Sequence, residues 1–140
     1  MQTFAMIKPD AVRMKMVGSI LAFVEKAVTI KLVEMRMIRL TEPQVRQFYA
    51  EHDGKPFFWP LVDFTLSGPV VCMVLEGDDV VQWWRRAIGN TNPQKAEPGT
   101  VRHMCGMGQP NNAVHGSDSP ESAAREIAMF RSWVAERKEQ

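Results

Sequence analysis

Val70-Val71-Cys72-Met73-Val74-Leu75 is an unbroken apolar run, set off by Ser67-Gly68-Pro69 before it and Gly77 after it. A short run of this kind, rich in β-branched residues and bounded by turn residues, predicts a strand in the centre of a sheet. Cys72 then reads as a small core residue. Toward the C-terminus, residues 79–88 place Val81, Trp84 and Ile88 on one helical face, with Gly89 as C-terminal cap. A polar, Pro-containing loop follows over 90–99, and a second irregular stretch over 102–111 carries Gly106, Gly108 and Pro110. Residues 112–115 are a short extended piece. Ser119-Pro120 is an N-cap followed by proline at the first helical position, opening a helix with Ala124, Ile127, Ala128 and Phe130 inward. The charged residues 136–140 are expected to fray.

Toward the N-terminus, a short helix spans 57–64, and Thr41-Glu42-Pro43-Gln44 has the form of a capping box opening a helix to about His52. Ile30, Leu32, Met35, Met37 and Leu40 mostly alternate with charged residues, as in a half-buried strand with a bulge near Val33. Val17, Ile20, Leu21, Val24, Ala27 and Val28 recur at helical spacing. Residues 3–7 form a first strand, cut by a turn at Lys8-Pro9-Asp10. With the insertions removed, the order is βαββαβ. This predicts one α+β domain over 1–140, a ferredoxin-like plait whose four-stranded antiparallel sheet carries helices on one face.

Composition narrows the function. Among 140 residues, 17 Lys+Arg against 16 Asp+Glu leave a net charge of +1, which argues against a polyanion-coating protein. Hydrophobic residues at 45% and charged residues at 24% suit a globular domain able to build a core without staples. The N-terminus lacks the basic and apolar regions of a signal peptide, and no apolar run approaches the roughly twenty residues of a membrane span. A cytoplasmic protein without membrane contact is expected. The ten methionines read as core filler. His103-Met104-Cys105 lacks a second ligand pair at metal-site spacing. Trp83-Trp84-Arg85-Arg86 is better read as a half-buried helix than as a stacking surface, so specific nucleic-acid binding is not expected.

Two long loops in so small a domain point to a site. Arg85, Thr91 and Arg102 flank the first, and arginine offers a planar fork of donors suited to phosphate. There is no G-x-x-x-x-G-K-[ST] or G-x-G-x-x-G motif, so a phosphate site would be assembled from scattered side chains. His115 ends the last extended piece, beside Ser117 and Asp118, with Glu126 in the next helix. Read alone it is either a satisfied core histidine or a nucleophile whose second nitrogen is held by an acceptor. Ser117 lacks the nucleophile-elbow context of a hydrolase. In Phe57-Phe58-Trp59, one exposed ring would offer a base a stacking face.

Asn112-Ala113-Val114-His115-Gly116-Ser117-Asp118-Ser119 resembles the active-site signature of nucleoside diphosphate kinases. The resemblance extends over nearly the whole chain. It takes in the stretch from Thr3 to Val12, then Tyr49-Ala50-Glu51-His52 and Lys55-Pro56-Phe57-Phe58. Ser67-Gly68-Pro69-Val70-Val71, Gly89-Asn90-Thr91-Asn92-Pro93, Pro98-Gly99-Thr100-Val101-Arg102 and the stretch from Ser122 to Ile127 complete it. It implies ping-pong transfer of a γ-phosphate from ATP to another nucleoside diphosphate through a phosphohistidine on His115, which maintains the NTP and dNTP pools. Glu126 would orient the ring and Ser117 would bond that carboxylate. Lys8, positioned by Tyr49, would meet the 3′-hydroxyl and the transferring phosphate, with Asn112 also on the sugar. Arg85, Thr91 and Arg102 would hold the β- and γ-phosphates and His52 the α-phosphate, while Phe57 stacks on the base beside Leu61. Mg²⁺ would arrive on the nucleotide, with no direct protein ligand. A homo-oligomer is implied, a tetramer or hexamer with a dimer as the smaller form, and the length resembles that of bacterial members. The alternative is a nucleotide-binding regulatory or scaffold protein of the same fold with weakened turnover. Two departures stand out: Ala27-Val28-Thr29 replaces a glycine turn, and Gln109 stands where a small apolar residue commonly faces the base.

Overall fold

A computed structural model describes residues 1–106, 108 and 111–138. Strands β1 (Gln2–Ile7), β2 (Lys31–Ile38), β3 (Val70–Glu76) and β4 (Val114–Gly116) pair antiparallel in the order β2-β3-β1-β4. The helices of the described residues are α1 (Pro9–Arg13), α2 (Val17–Glu25), α3 (Glu42–Phe48), α4 (Phe58–Leu66), α5 (Val80–Ile88), α6 (Val101–Cys105) and α7 (Pro120–Lys138). The order is that of the expected plait, with β1 and the apolar run of β3 at its centre.

The sheet differs from expectation in being covered on both faces rather than one. Phe4, Met6, Val70, Cys72 and Val74 pack against Phe48 of α3, Phe58 and Val62 of α4, and Phe130 and Trp133 of α7. The alternate set, Ala5, Ile7, Val71, Met73 and Leu75, packs against Ile20 and Val24 of α2, Trp84 and Ile88 of α5, and Val101 and Cys105 of α6. That is why β3 shows no alternation: period two records which side is wet, and here neither is. Phe4, Phe58, Trp84, Phe130 and Trp133 are fully buried, each contributing about 1.5–3 kcal/mol relative to exposure.

Other differences have local causes. Pro9 opens α1 instead of only marking a turn, because its fixed φ and missing N–H suit the first helical position. The second irregular stretch begins with a helix, α6, which Thr100 caps by accepting the His103 N–H at 3.3 Å. α7 remains helical to Lys138, and Gln44 Nε2 donates to Glu136 Oε2 at 2.8 Å. The expected bulge falls between Leu32 and Glu34. Beyond it, Met35 and Met37 lie opposite Met73 and Val71, yet are 48% and 56% exposed, because β2 is an edge strand beyond the cover of α2. Val28, placed on the apolar stripe by its spacing, is 98% exposed in the turn after α2. That turn closes with Ile30 N–H donating to Ala27 O at 3.0 Å and has no positive φ, so it needs no glycine. The capping box is formed in full, Thr41 Oγ1 accepting the Gln44 N–H and Gln44 Oε1 the Thr41 N–H.

Candidate active site

Antiparallel pairing of β1 with the short β4 brings the two ends of the chain's chemistry together. Ile7 lies opposite Val114 and Met6 opposite His115, so Lys8, one residue past β1, sits beside the start of β4. Lys8 N–H donates to Ala113 O at 2.8 Å, and Lys8 Nζ donates to Asn112 Oδ1 at 2.8 Å. Asn112 Nδ2 donates in turn to Thr91 O at 3.1 Å, which ties the loop after α5 to this corner. Lys8 is buried, and its ammonium is pushed down to about 8, first by burial and then by the Arg102 guanidinium, with the Asp10 carboxylate opposing.

His115 is held from three sides. Its Nε2 lies 2.8 Å from Glu126 Oε1, and Ser117 Oγ donates to the same oxygen at 2.8 Å. Trp84 Nε1 donates to His115 O at 3.1 Å, and Phe48 stands edge-on to the imidazole at 4.9 Å. A carboxylate can only accept, so Nε2 carries the proton in this pair, and the Nδ1 lone pair has no partner among the described residues. Gly116 follows because nothing larger fits: a Cβ there would lie 2.7 Å from Trp84 Cδ1.

Two arginines face this ring across a cleft of about 610 Å³. Arg102 is buried on α6, donating through Nη1 to Gly89 O at 2.8 Å and through Nη2 to Val114 O at 2.9 Å. Gly89 can offer that carbonyl because its φ of +87° is open to glycine, and any Cβ would strike Thr100 at 2.6 Å. Burial, and then Arg85, push the Arg102 guanidinium down to about 10, which still leaves it charged at neutral pH. Arg85, in the last turn of α5, pairs with Asp118 Oδ1 at 2.6 Å.

Of the residues expected at the site, Lys8, Tyr49, His52, Phe57, Leu61, Arg85, Thr91, Arg102, Asn112, His115 and Glu126 all line this one cleft. Ser117 lies behind it, fully buried against Glu126. Phe57 is 49% exposed at the mouth, its ring 5.1 Å from that of His52. Gln109 lies outside the described residues. Tyr49 is buried with its hydroxyl beside that of Thr65, which itself donates to Leu61 O at 2.8 Å, and among the described residues it makes no hydrogen bond to Lys8. Tyr49 instead packs edge-on to Phe48 at 4.9 Å, and Phe48 carries the His115 ring. Sequence reading did not single out Phe48, and it placed Asp118 beside His115 without pairing it to Arg85; a phenylalanine in a helix gives no signal of its contact.

The cleft thus combines a histidine with one fixed nitrogen, a cluster of cations, and an exposed aromatic ring at its mouth. That set suits an anionic, aromatic ligand. A family model described as nucleoside diphosphate kinase matches residues 1–133. A nucleoside diphosphate kinase of Listeria innocua is 50% identical over 129 residues, covering 92% of this chain and 87% of that protein. One of Saccharolobus solfataricus is 47% identical, covering 92% and 93%. A solved halophilic nucleoside diphosphate kinase from Halobacterium salinarum, in complex with CDP, superposes with a TM-score of 0.89 at 41% identity, covering 93% of this chain and 86% of that one. With a family match over nearly its whole length and relatives near half identity, the chain belongs to the nucleoside diphosphate kinase family.

Proposed function

We propose that the cleft transfers the γ-phosphate of ATP to other nucleoside diphosphates in two half-reactions, with His115 Nδ1 as the phosphate carrier. The observation that carries this reading is the Nε2–Glu126 pair at 2.8 Å, which leaves Nδ1 as the nucleophilic nitrogen of a ring lining the same cleft as Lys8, Arg85 and Arg102. In the first half-reaction the Nδ1–P bond forms as the bond from the γ-phosphorus to the bridging oxygen breaks, and the diphosphate leaves with the electron pair. In the second, an incoming diphosphate takes the phosphoryl group back. Lys8 and the two arginines neutralise the charge on the transferring group, and Thr91 and His52 complete the phosphate contacts.

The donors that line the cleft on the phosphate side, Lys8, Arg85 and Arg102, are cationic, and no group of three or more metal-ligating side chains gathers among the described residues. Mg²⁺ would arrive bound to the nucleotide, where it would neutralise phosphate charge beside those cations. A ping-pong route gives parallel lines in double-reciprocal plots of rate against donor at several acceptor concentrations. Converging lines would mean direct transfer in a ternary complex and would overturn the reading.

Selectivity follows from which contacts are polar. Stacking on Phe57 is open to every base, so ADP, GDP, CDP and UDP are expected to react within about fivefold of one another. Lys8 and Asn112, already bonded to each other, converge on the sugar, so a 3′-deoxy diphosphate leaves a charged donor unpaired and should lose about 10–100-fold in kcat/KM. Lys8 also sets a pH limit. Its charge is present below about 8 and lost above, so kcat/KM for nucleotide is expected to fall as pH rises through that value. Replacing Lys8 by Met should remove the limb together with most of the activity.

No helix among the described residues is long and apolar enough to cross a membrane. We infer a cytoplasmic protein, because the nucleotide pools this reaction would serve lie there. We also infer a homo-oligomer, a tetramer or hexamer built on pairs. β2 is a sheet edge whose Val33, Met35 and Met37 are exposed, a surface suited to a second copy. Light scattering should give a mass above that of one chain, lowered by Met35→Glu with Met37→Glu; an unchanged monomeric mass would rule this out.

A further inference from the structure

Ala113 has a φ of +74°, and Val114 N–H donates to Asn112 O at 2.9 Å, so residues 112–114 form a γ-turn with a positive φ at a residue that carries a Cβ. This form is rare and strained, and it persists only where its surroundings hold it. Two groups hold it here. Lys8 N–H takes the Ala113 carbonyl at 2.8 Å, and Asp10 Oδ2 accepts the Ala113 N–H at 3.1 Å. Asp10 is itself buried in the first turn of α1, and its second oxygen, Oδ1, has no partner among the described residues. Burying a carboxylate with one oxygen unsatisfied is costly, which makes a purely structural use of Asp10 a poor bargain. The turn stands between the two residues whose placement matters most. Asn112, which precedes Ala113, bonds Lys8 Nζ; His115, two residues after it, bonds Glu126.

We propose that Asp10 is a positioning residue for phosphoryl transfer, which clamps the strained turn at Ala113 and so fixes the chain between Asn112 and His115. The effect on rate rests on the reaction proposed at His115; the clamp on the turn does not.

Asp10→Ala removes the clamp and should slow phosphorylation of His115 by ATP about tenfold or more, with the Kd for ATP little changed. Asp10→Asn keeps an oxygen that can accept the Ala113 N–H and should retain most of the rate; a loss as large as that of Asp10→Ala overturns the clamp. Ala113→Gly alone should change little, and in the Asp10→Ala background it should restore most of the rate, because glycine holds a positive φ without strain. No recovery overturns the clamp. Should Asp10→Ala fail to fold, recovery of folding by Ala113→Gly is read instead, with the same two meanings. If wild-type His115 took up no phosphate from ATP, the proposed reaction would fall, yet the gain in stability from Ala113→Gly in the Asp10→Ala background would still decide the clamp.

Discussion

Replacing His115 by Ala is expected to abolish both the covalent phosphate and turnover. Wild-type protein incubated with labelled ATP and no acceptor should take up one acid-labile phosphate per chain, and His115→Ala none. The chain has three histidines, so the site of labelling can be argued from geometry. His52 lines the same cleft, but its nearest carboxylate is an exposed Glu51 oxygen at 3.9 Å, too far for a hydrogen bond that would fix the ring. His103 is exposed on α6 and does not line the cleft. Only His115 has one nitrogen anchored at hydrogen-bond distance by a buried carboxylate and the other without a partner among the described residues. Loss of a covalent nucleophile removes the two-step path, so the fall in kcat is expected on the order of 10⁴ to 10⁶. The imidazole packs against Phe48 and Phe4, so the variant loses some packing; nucleotide binding, measured separately, should stay within a few-fold and show that the fold is intact. Near-normal exchange in His115→Ala would exclude a phosphohistidine on this residue.

The central strand, the capping box, the Gly89 cap and the bulge near Val33 were all legible in the sequence, because each rests on local chemistry. What local pattern could not give was the number of covered faces. Val70 to Leu75 is apolar throughout, which is compatible with one helical layer or two until α2, α5 and α7 are placed. The edge position of β2 was illegible for the same reason: Met35 and Met37 have the period of a buried face but no helix over them. At the site, the cations and the histidine could be named by type, and the family resemblance gave them roles. Their convergence depends on β1 pairing with β4, a contact between residues over a hundred positions apart that no spacing encodes. Phe48 is the residue that position alone did not reveal: it stands edge-on to both Tyr49 and His115, at 4.9 Å from each ring.

Glu126→Ala should lower kcat by roughly ten- to a thousandfold and leave the KM for nucleotide nearly unchanged. Glu126 Oε1 receives two hydrogen bonds, from His115 Nε2 and from Ser117 Oγ, each at 2.8 Å. The first bond fixes the ring's rotation and its tautomer together, since an acceptor at Nε2 places the proton there and keeps Nδ1 a base. Without it the imidazole samples both tautomers and a wider range of angles, so a smaller fraction presents a lone pair in line with the γ-phosphorus. The carboxylate also lies where positive charge develops when Nδ1 bonds phosphorus, so it stabilises the phosphorylated ring more than the free one. Both effects act on the transfer step. Neither acts on binding, because the polar partners of Glu126 are His115, Ser117 and, at 4.0 Å, Arg125, while the cations proposed to meet the phosphates are held by other groups: Arg102 by Gly89 and Val114, Lys8 by Asn112. Glu126→Gln separates the two effects. Its amide oxygen can still accept from Nε2 and Ser117, preserving the tautomer, but the charge is gone, so its kcat should fall between those of the wild type and Glu126→Ala. Ser117→Ala, which removes one of the two bonds to Oε1 and leaves the charge, should cost less than either. A kcat in Glu126→Ala equal to wild type, or a loss seen only in KM, would mean that the ring is oriented by Phe48 and Trp84 alone and that the carboxylate is a buried structural group.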